Sequence, residues 1–155
     1  MKKVTWLAIL FGLAAFLAQS VPAKDKGDQA VFQKLIDEYW ATWSAGNLEK
    51  AAAFYDQSAD AVYYDVGALK FSGWGEYREG VKHLFEEASK VELGANNDLR
   101  TTRHGNIAWT TETFHLDETL KTGKKVELQG RHTAIWEKRG PKWIIVHEHV
   151  SIPTS

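Results

Sequence analysis

The segment from Gly130 to Pro153 constrains the fold more than any other. Two runs of alternating apolar and polar residues meet at Arg139-Gly140-Pro141-Lys142, and two such runs around a tight turn specify a β-hairpin. Side chains of a strand point alternately to the two sides of a sheet. Strict alternation therefore places Ile144, Val146, Glu148, Val150 and Ile152 on one face and Trp143, Ile145, His147, His149 and Ser151 on the other. The first face is an apolar wall broken by a single carboxylate. Glu148, with whatever stands opposite it, is the first place to seek function.

The opposite end of the chain has a different character. Lys2-Lys3 is followed by an apolar stretch from Val4 to Leu17, then Val21-Pro22-Ala23, then the charged Lys24-Asp25-Lys26. A basic start, a short apolar core and small residues before the charges form the pattern of a secretory signal peptide over residues 1–23, cleaved after Ala23. A membrane-spanning helix needs about 20 apolar residues, and this run is shorter. The expectation is a periplasmic or secreted protein with no membrane attachment after cleavage. The absence of Cys excludes both a lipid-anchored amino terminus and a disulfide framework. Residues 24–155, 132 of the 155, then make one domain. The net charge of −1 becomes −3 once Lys2 and Lys3 are lost, and no basic stripe is present, so nucleic-acid binding is disfavoured. Seven Trp, five Tyr and seven Phe are many large rings for a chain of this size, and rings fill a core, line a cavity or build an interface.

From Asp28 to Ala45, Val31, Leu35, Tyr39 and Trp43 recur at helical spacing with Phe32, Ile36 and Trp40 beside them. Asp28 is expected to cap this helix, Gly46 to end it, and Asn47 to cap a second, shorter one through Tyr55. A strand over Ala61–Asp65 follows, then a Gly67 turn, a further strand near Leu69–Phe71, and a third helix led in by Ser72-Gly73-Trp74. Beyond Lys90 the period changes. Strands over 91–103, 106–118, 125–138 and 142–152 are separated by turn signals at His104-Gly105-Asn106, Thr122-Gly123-Lys124 and Gly140-Pro141. Helices first and an antiparallel meander afterwards is the α+β pattern.

This order, with Gly46-Asn47, Phe54-Tyr55, Ser72-Gly73-Trp74 and the ending Trp143-x-x-Val146-His147-x-His149-x-Ser151, resembles the SnoaL-like division of the nuclear transport factor 2-like superfamily. The resemblance implies a cone-shaped, curved antiparallel sheet wrapped around three N-terminal helices, an open-mouthed cavity, and frequent homodimerisation across the sheet. It does not imply one chemistry. Ketosteroid isomerase is similar in layout. The resemblance matches its cavity tyrosine to Tyr39, puts His132 where its late aspartic acid stands, and puts its base at Tyr64 or Asp65. The association domain of calcium/calmodulin-dependent protein kinase II resembles the carboxyl end. Where that family has cavity arginines this chain has Thr111, Ala134 and Val150, so an anion pocket of that kind is not expected.

Asp65 ends a strand, and as a base it needs burial to raise its pKa; otherwise it is a solvated turn acid. His132 and Glu148 stand on facing strands, both inward by alternation, close enough for a hydrogen bond or a bridging water. Such a pair tunes a proton donor, holds a polar ligand group, or is simply a buried and mutually satisfied couple. Tyr39 and Tyr64 offer hydroxyls above packing rings. Trp109, Thr111 and Thr113 are expected on the inward face of their strand and complete a ligand-binding lining. No metal is expected: His147 and His149 share a face, but a zinc site needs a third ligand. They fall instead in an outer patch with Trp143, Ile145, Ile135 and Phe114, the expected face of a homodimer. Arg131 is expected to point outward and pair with Glu112.

The leading expectation is an exported domain that binds a small apolar or mixed-polarity molecule without a cofactor. An alternative is a cofactor-free isomerase, dehydratase or hydrolase in which Asp65 takes a proton while Tyr39 and His132 steady the oxyanion. A third is a dimeric interaction module without catalysis.

Overall fold

The computed structural model describes residues 26–154, so the leader expected over residues 1–23 lies outside the described residues. The first helix, α1 (Lys26–Ser44), buries Phe32, Ile36, Tyr39, Trp40 and Trp43, one stripe at helical spacing. Asp28 sits within its first turn, not ahead of it, and pairs with Arg103 at 2.8 Å. Gly46 (φ +60) ends the helix, its N–H donating to the Trp43 carbonyl at 2.8 Å. Asn47 caps α2 (Leu48–Ala51) by accepting the Lys50 N–H at 2.9 Å, and a 3-10 turn, Ala52–Phe54, carries the chain on to Tyr55.

Two short strands follow, β1 (Val62–Tyr64) and β2 (Phe71–Ser72), and then α3 (Gly73–Glu87). Gly73 has φ +74, and a Cβ there would stand 3.2 Å from both the Ser58 carbonyl oxygen and the Ala59 Cα, so only glycine makes this corner without strain. The remaining strands are β3 (Ala88–Ala95), β4 (Arg100–His104), β5 (Ile107–Leu120), β6 (Lys125–Arg139) and β7 (Lys142–Ser151). They form one sheet in the order β2-β1-β7-β6-β5-β3, with β4 also paired to β5.

Two features depart from the sequence-based expectation. The strand expected over 91–103 is two strands, β3 pairing with residues 114–120 and β4 with residues 107–111 of the same edge of β5. Polar side chains hold the step between them. Asn96 Nδ2 donates to Thr113 Oγ1 and Gln129 Oε1, and Asp98 accepts the Thr113 N–H and hydroxyl. The sheet is also mixed, since β1 runs parallel to β7, pairing Tyr63 with Glu148 and Tyr64 with His149. A parallel pair needs a long crossover and has no local turn signature, so turn chemistry cannot reveal it.

The curved, unclosed sheet wraps its concave face around the helices. Which residues face inward differs from strict alternation because β7 carries a bulge. Ile135 pairs with His147 and Trp136 with Ile145, leaving Val146 without a partner. Trp143 (8% exposed) and Ile145 (0%) therefore join Glu148 and Val150 inside. They do not form the outer patch in which alternation places them. The phase of β5 is also reversed. Ala108, Thr110, Glu112 and Phe114 face inward, Glu112 opposite His132 and Phe114 opposite Gly130, whereas Trp109, Thr111 and Thr113 point out. The Phe114 ring lies over Gly130, where a Cβ would meet it at 2.2 Å.

Candidate functional site

Glu148 gathers the site. Its position after the bulge turns it inward, where it is fully buried, and a buried carboxylate is tolerated only when its lone pairs are filled. Four side chains from four separate parts of the chain fill them. The phenols of Tyr39 on α1 and Tyr55 donate to Oε2, each at 2.9 Å; Tyr77 on α3 donates to Oε1 at 2.6 Å; and His132 on β6 donates from Nε2 to Oε2 at 3.1 Å. His132 Nδ1 donates in turn to Glu112 Oε1 at 2.7 Å. The imidazole stacks on Tyr39 (5.1 Å, 13°) and meets Trp40 edge-on.

The charges follow from this geometry. Burial by itself would strip the proton from His132, but the hydrogen bonds and charges of Glu112 and Glu148 outweigh it and raise the pKa to about 10. Burial opposes the charge on Glu148, yet His132 and the phenols hold its pKa below the ordinary value. Tyr39, Tyr55 and Tyr77 are pushed well above the ordinary phenol range, first by burial and then by the neighbouring carboxylates, so all three keep their protons. An imidazolium between two carboxylates leaves the cluster with an uncompensated negative charge.

Asp65 extends the cluster towards solvent. It follows β1 two residues after the inward Tyr63 and shares its side of the strand. Its Oδ1 accepts the Val66 N–H, and its Oδ2 lies 2.7 Å from the Tyr77 hydroxyl. Tyr77 thus stands between two carboxylates with one proton to give. A proton on Asp65 fills the second gap. Burial, and then the charge of Glu148, raise the Asp65 pKa to about 6.

Asp65, Tyr39 and Tyr77 line a cavity of about 270 Å³ between α3 and the ends of β3, β5, β6 and β7. Its walls are apolar, with Val81, Leu84 and Phe85 on one side and Leu116, Leu128 and Val150 on the other. Of Tyr64 and Asp65, only Asp65 faces the cavity. Tyr64 is 41% exposed on the outer face, its ring edge-on to His147 and His149, so it lines no cavity. Trp109 (39% exposed), Thr111 and Thr113 also lie outside and bind nothing in the cavity. His132 and Glu148 are sealed behind the tyrosines. Glu112 pairs with His132 and not with Arg131, which is exposed.

Sequence reasoning missed Tyr55 and Tyr77 as polar participants because Tyr77 sits at an apolar position of α3 and Tyr55 closes the expected second helix, where a phenol reads as core. No group of three or more metal-binding side chains gathers among the described residues.

Comparisons with known proteins follow the same lines. No curated protein matches the sequence. Among solved structures, a nuclear transport factor 2-like superfamily protein from Salmonella enterica superposes with a TM-score of 0.74 at 19% identity, covering 83% of this chain and 94% of its own. A provisionally assigned calcium/calmodulin-dependent protein kinase II association domain from Xanthomonas campestris gives 0.68 at 24% identity, over 79% and 86%. A provisionally assigned scytalone dehydratase from Novosphingobium aromaticivorans gives 0.73 at 10%, over 83% and 85%. These likenesses establish the shared fold. The nuclear transport factor 2-like structures share its fold, and the sequence profile of the SnoaL-like domain matches residues 32–155, so the chain belongs to the SnoaL-like family.

Proposed function

We propose that the protein binds one small, largely apolar molecule in the cone cavity, with Asp65 as its polar contact. The observation that carries this reading is the cavity itself, apolar-walled and about 270 Å³, with a carboxylate among its lining residues. A folded domain without a binding role has little reason to keep such a void, because closing it would gain contacts. N-phenyl-1-naphthylamine, an uncharged dye that brightens in apolar surroundings, is a suitable probe. It is expected to bind the wild type and to be excluded by Leu128→Trp. Undiminished dye binding in a folded Leu128→Trp protein would place the ligand elsewhere.

A second reading, catalysis, rests on one further feature: Asp65 titrates near working pH beside a cavity. Asp65 would then be the base of a cofactor-free isomerisation, dehydration or hydrolysis. Tyr39 and His132 do not serve as the oxyanion donors in this reading, since their protons are committed to Glu148 and Glu112. Deuterium uptake from solvent into screened ketones and β-hydroxyketones tests it, and uptake that persists in Asp65→Asn would refute it. The proposal also includes export by the residues 1–23 leader, and pairing of two copies through the outer sheet face.

A further inference from the structure

The side chains lining the cavity are polarised in one direction. Among the described residues no Lys, Arg or His lines it, whereas three carboxylates do, those of Asp65, Glu87 and Glu118. The donors in the wall are turned away. The Tyr39 hydroxyl donates to Glu148, and that of Tyr77 is held between Asp65 and Glu148. The indole N–H groups of Trp40 and Trp43 have no hydrogen-bond partner, but both are buried, with almost no accessible surface from which to meet a ligand. Behind the wall the Glu112-His132-Glu148 line carries two carboxylates for one imidazolium, so the single buried positive charge, that of His132, is already outnumbered before Asp65 is added. Rings of Tyr39, Trp43, Tyr77, Phe85 and Phe114 complete the lining.

A ligand anion would meet repulsion and no donor exposed on the cavity surface, and a neutral acceptor would find no exposed partner. An ammonium group would supply the missing donor and the missing charge together, and aromatic surfaces favour cations electrostatically. We infer that the cavity takes an organic cation, an apolar amine whose nitrogen is held by Asp65 and whose hydrocarbon body lies against the Leu and Val walls. This rests on the cavity-binding reading above and narrows it to a ligand class.

Three compounds with one hydrocarbon frame test it: 3-phenylpropylamine, 3-phenylpropan-1-ol and 3-phenylpropanoate, each measured at pH 7.5 by calorimetry and by displacement of N-phenyl-1-naphthylamine. The amine is expected to bind more tightly than the alcohol by on the order of tenfold, the scale of one charge-assisted hydrogen bond. The carboxylate is expected not to compete. Asp65→Asn should abolish the preference for the amine over the alcohol, with dye binding serving as the check that the cavity still forms. An alcohol or carboxylate that binds as well as the amine, or an amine preference that survives Asp65→Asn, overturns the inference while leaving the cavity reading intact. Failure of the dye and of all three compounds overturns the cavity reading itself, and the inference with it.

Discussion

Ile145 and Glu148 stand three residues apart on one strand, yet both are fully buried on the same face of the sheet. In regular β-structure residues an odd number apart point to opposite sides. The unpaired Val146 resolves the conflict, because its bulge shifts the phase once between Trp136↔Ile145 and Ile135↔His147. The apolar half of β7 packs under α1, where Phe32 meets Trp143 at 5.0 Å. The other half delivers Glu148 to the tyrosines.

Deleting Val146 restores strict alternation, so Ile145 and Glu148 can no longer both point inward. Either an isoleucine core position or the hub of the polar cluster is then lost, at a cost of about 3 kcal/mol or more. The expected outcome is loss of cooperative thermal unfolding by near-ultraviolet circular dichroism. Val146→Ala keeps the residue count and is expected to fold; a deletion variant as stable as Val146→Ala would show that the bulge is not required.

Asp65 is expected to cost stability at neutral pH. Its folded pKa of about 6 lies above the ordinary 3.8, so between those values the folded protein holds a proton that the unfolded chain has released. Stability therefore falls as pH rises through that window, by on the order of 3 kcal/mol. Asp65→Asn should be more stable than wild type at pH 8 and no more stable at pH 4, measured as denaturation midpoints. An equal gain at both values would mean that the carboxyl is not destabilised by its surroundings.

The opposite sign applies to His132. Its pKa is raised from 6.5 to about 10, so its contribution is complete below pH 6.5 and is lost as pH climbs through 10. His132→Gln leaves Glu112 and Glu148 buried without their cation, which should cost about 3–5 kcal/mol at pH 7. The alkaline decline between pH 7 and 10 should be shallower in the variant. Urea titrations at a series of pH values read both effects, and a parallel decline in the two proteins would count against an imidazolium at this position.

For the proposed assembly, the outer sheet face carries Tyr64, Trp109, Ile135 and His147, since Trp143, Ile145 and Phe114 are core. A charge at Ile145 would test folding; Ile135→Glu is the better test of pairing. Sedimentation velocity is expected to show a dimer for the wild type and a folded monomer for Ile135→Glu. A dimer that persists in the variant moves the interface off this face.

The helices, their punctuation at Gly46 and Asn47, and the run of late strands were legible in the sequence because each depends on local propensity and spacing. Gly46 ends α1 and Asn47 caps α2 wherever the rest of the chain lies. The closeness of His132 and Glu148 was also legible, since both lie on the inward side of adjacent strands, although the register sets His132 opposite Val150 and Glu148 opposite Ala134. What tertiary structure alone decided were the phases and the distant partners. A single unpaired Val146 reverses the orientation of everything before it, and the pairing with β6 sets the phase of β5, moving Trp109 out and Glu112 in. The parallel docking of β1 on β7 places Asp65 within reach of Tyr77. Tyr39, Tyr55 and Tyr77, apolar in pattern, became donors only because the fold delivered the Glu148 carboxylate among them, and a buried carboxylate left without donors costs heavily.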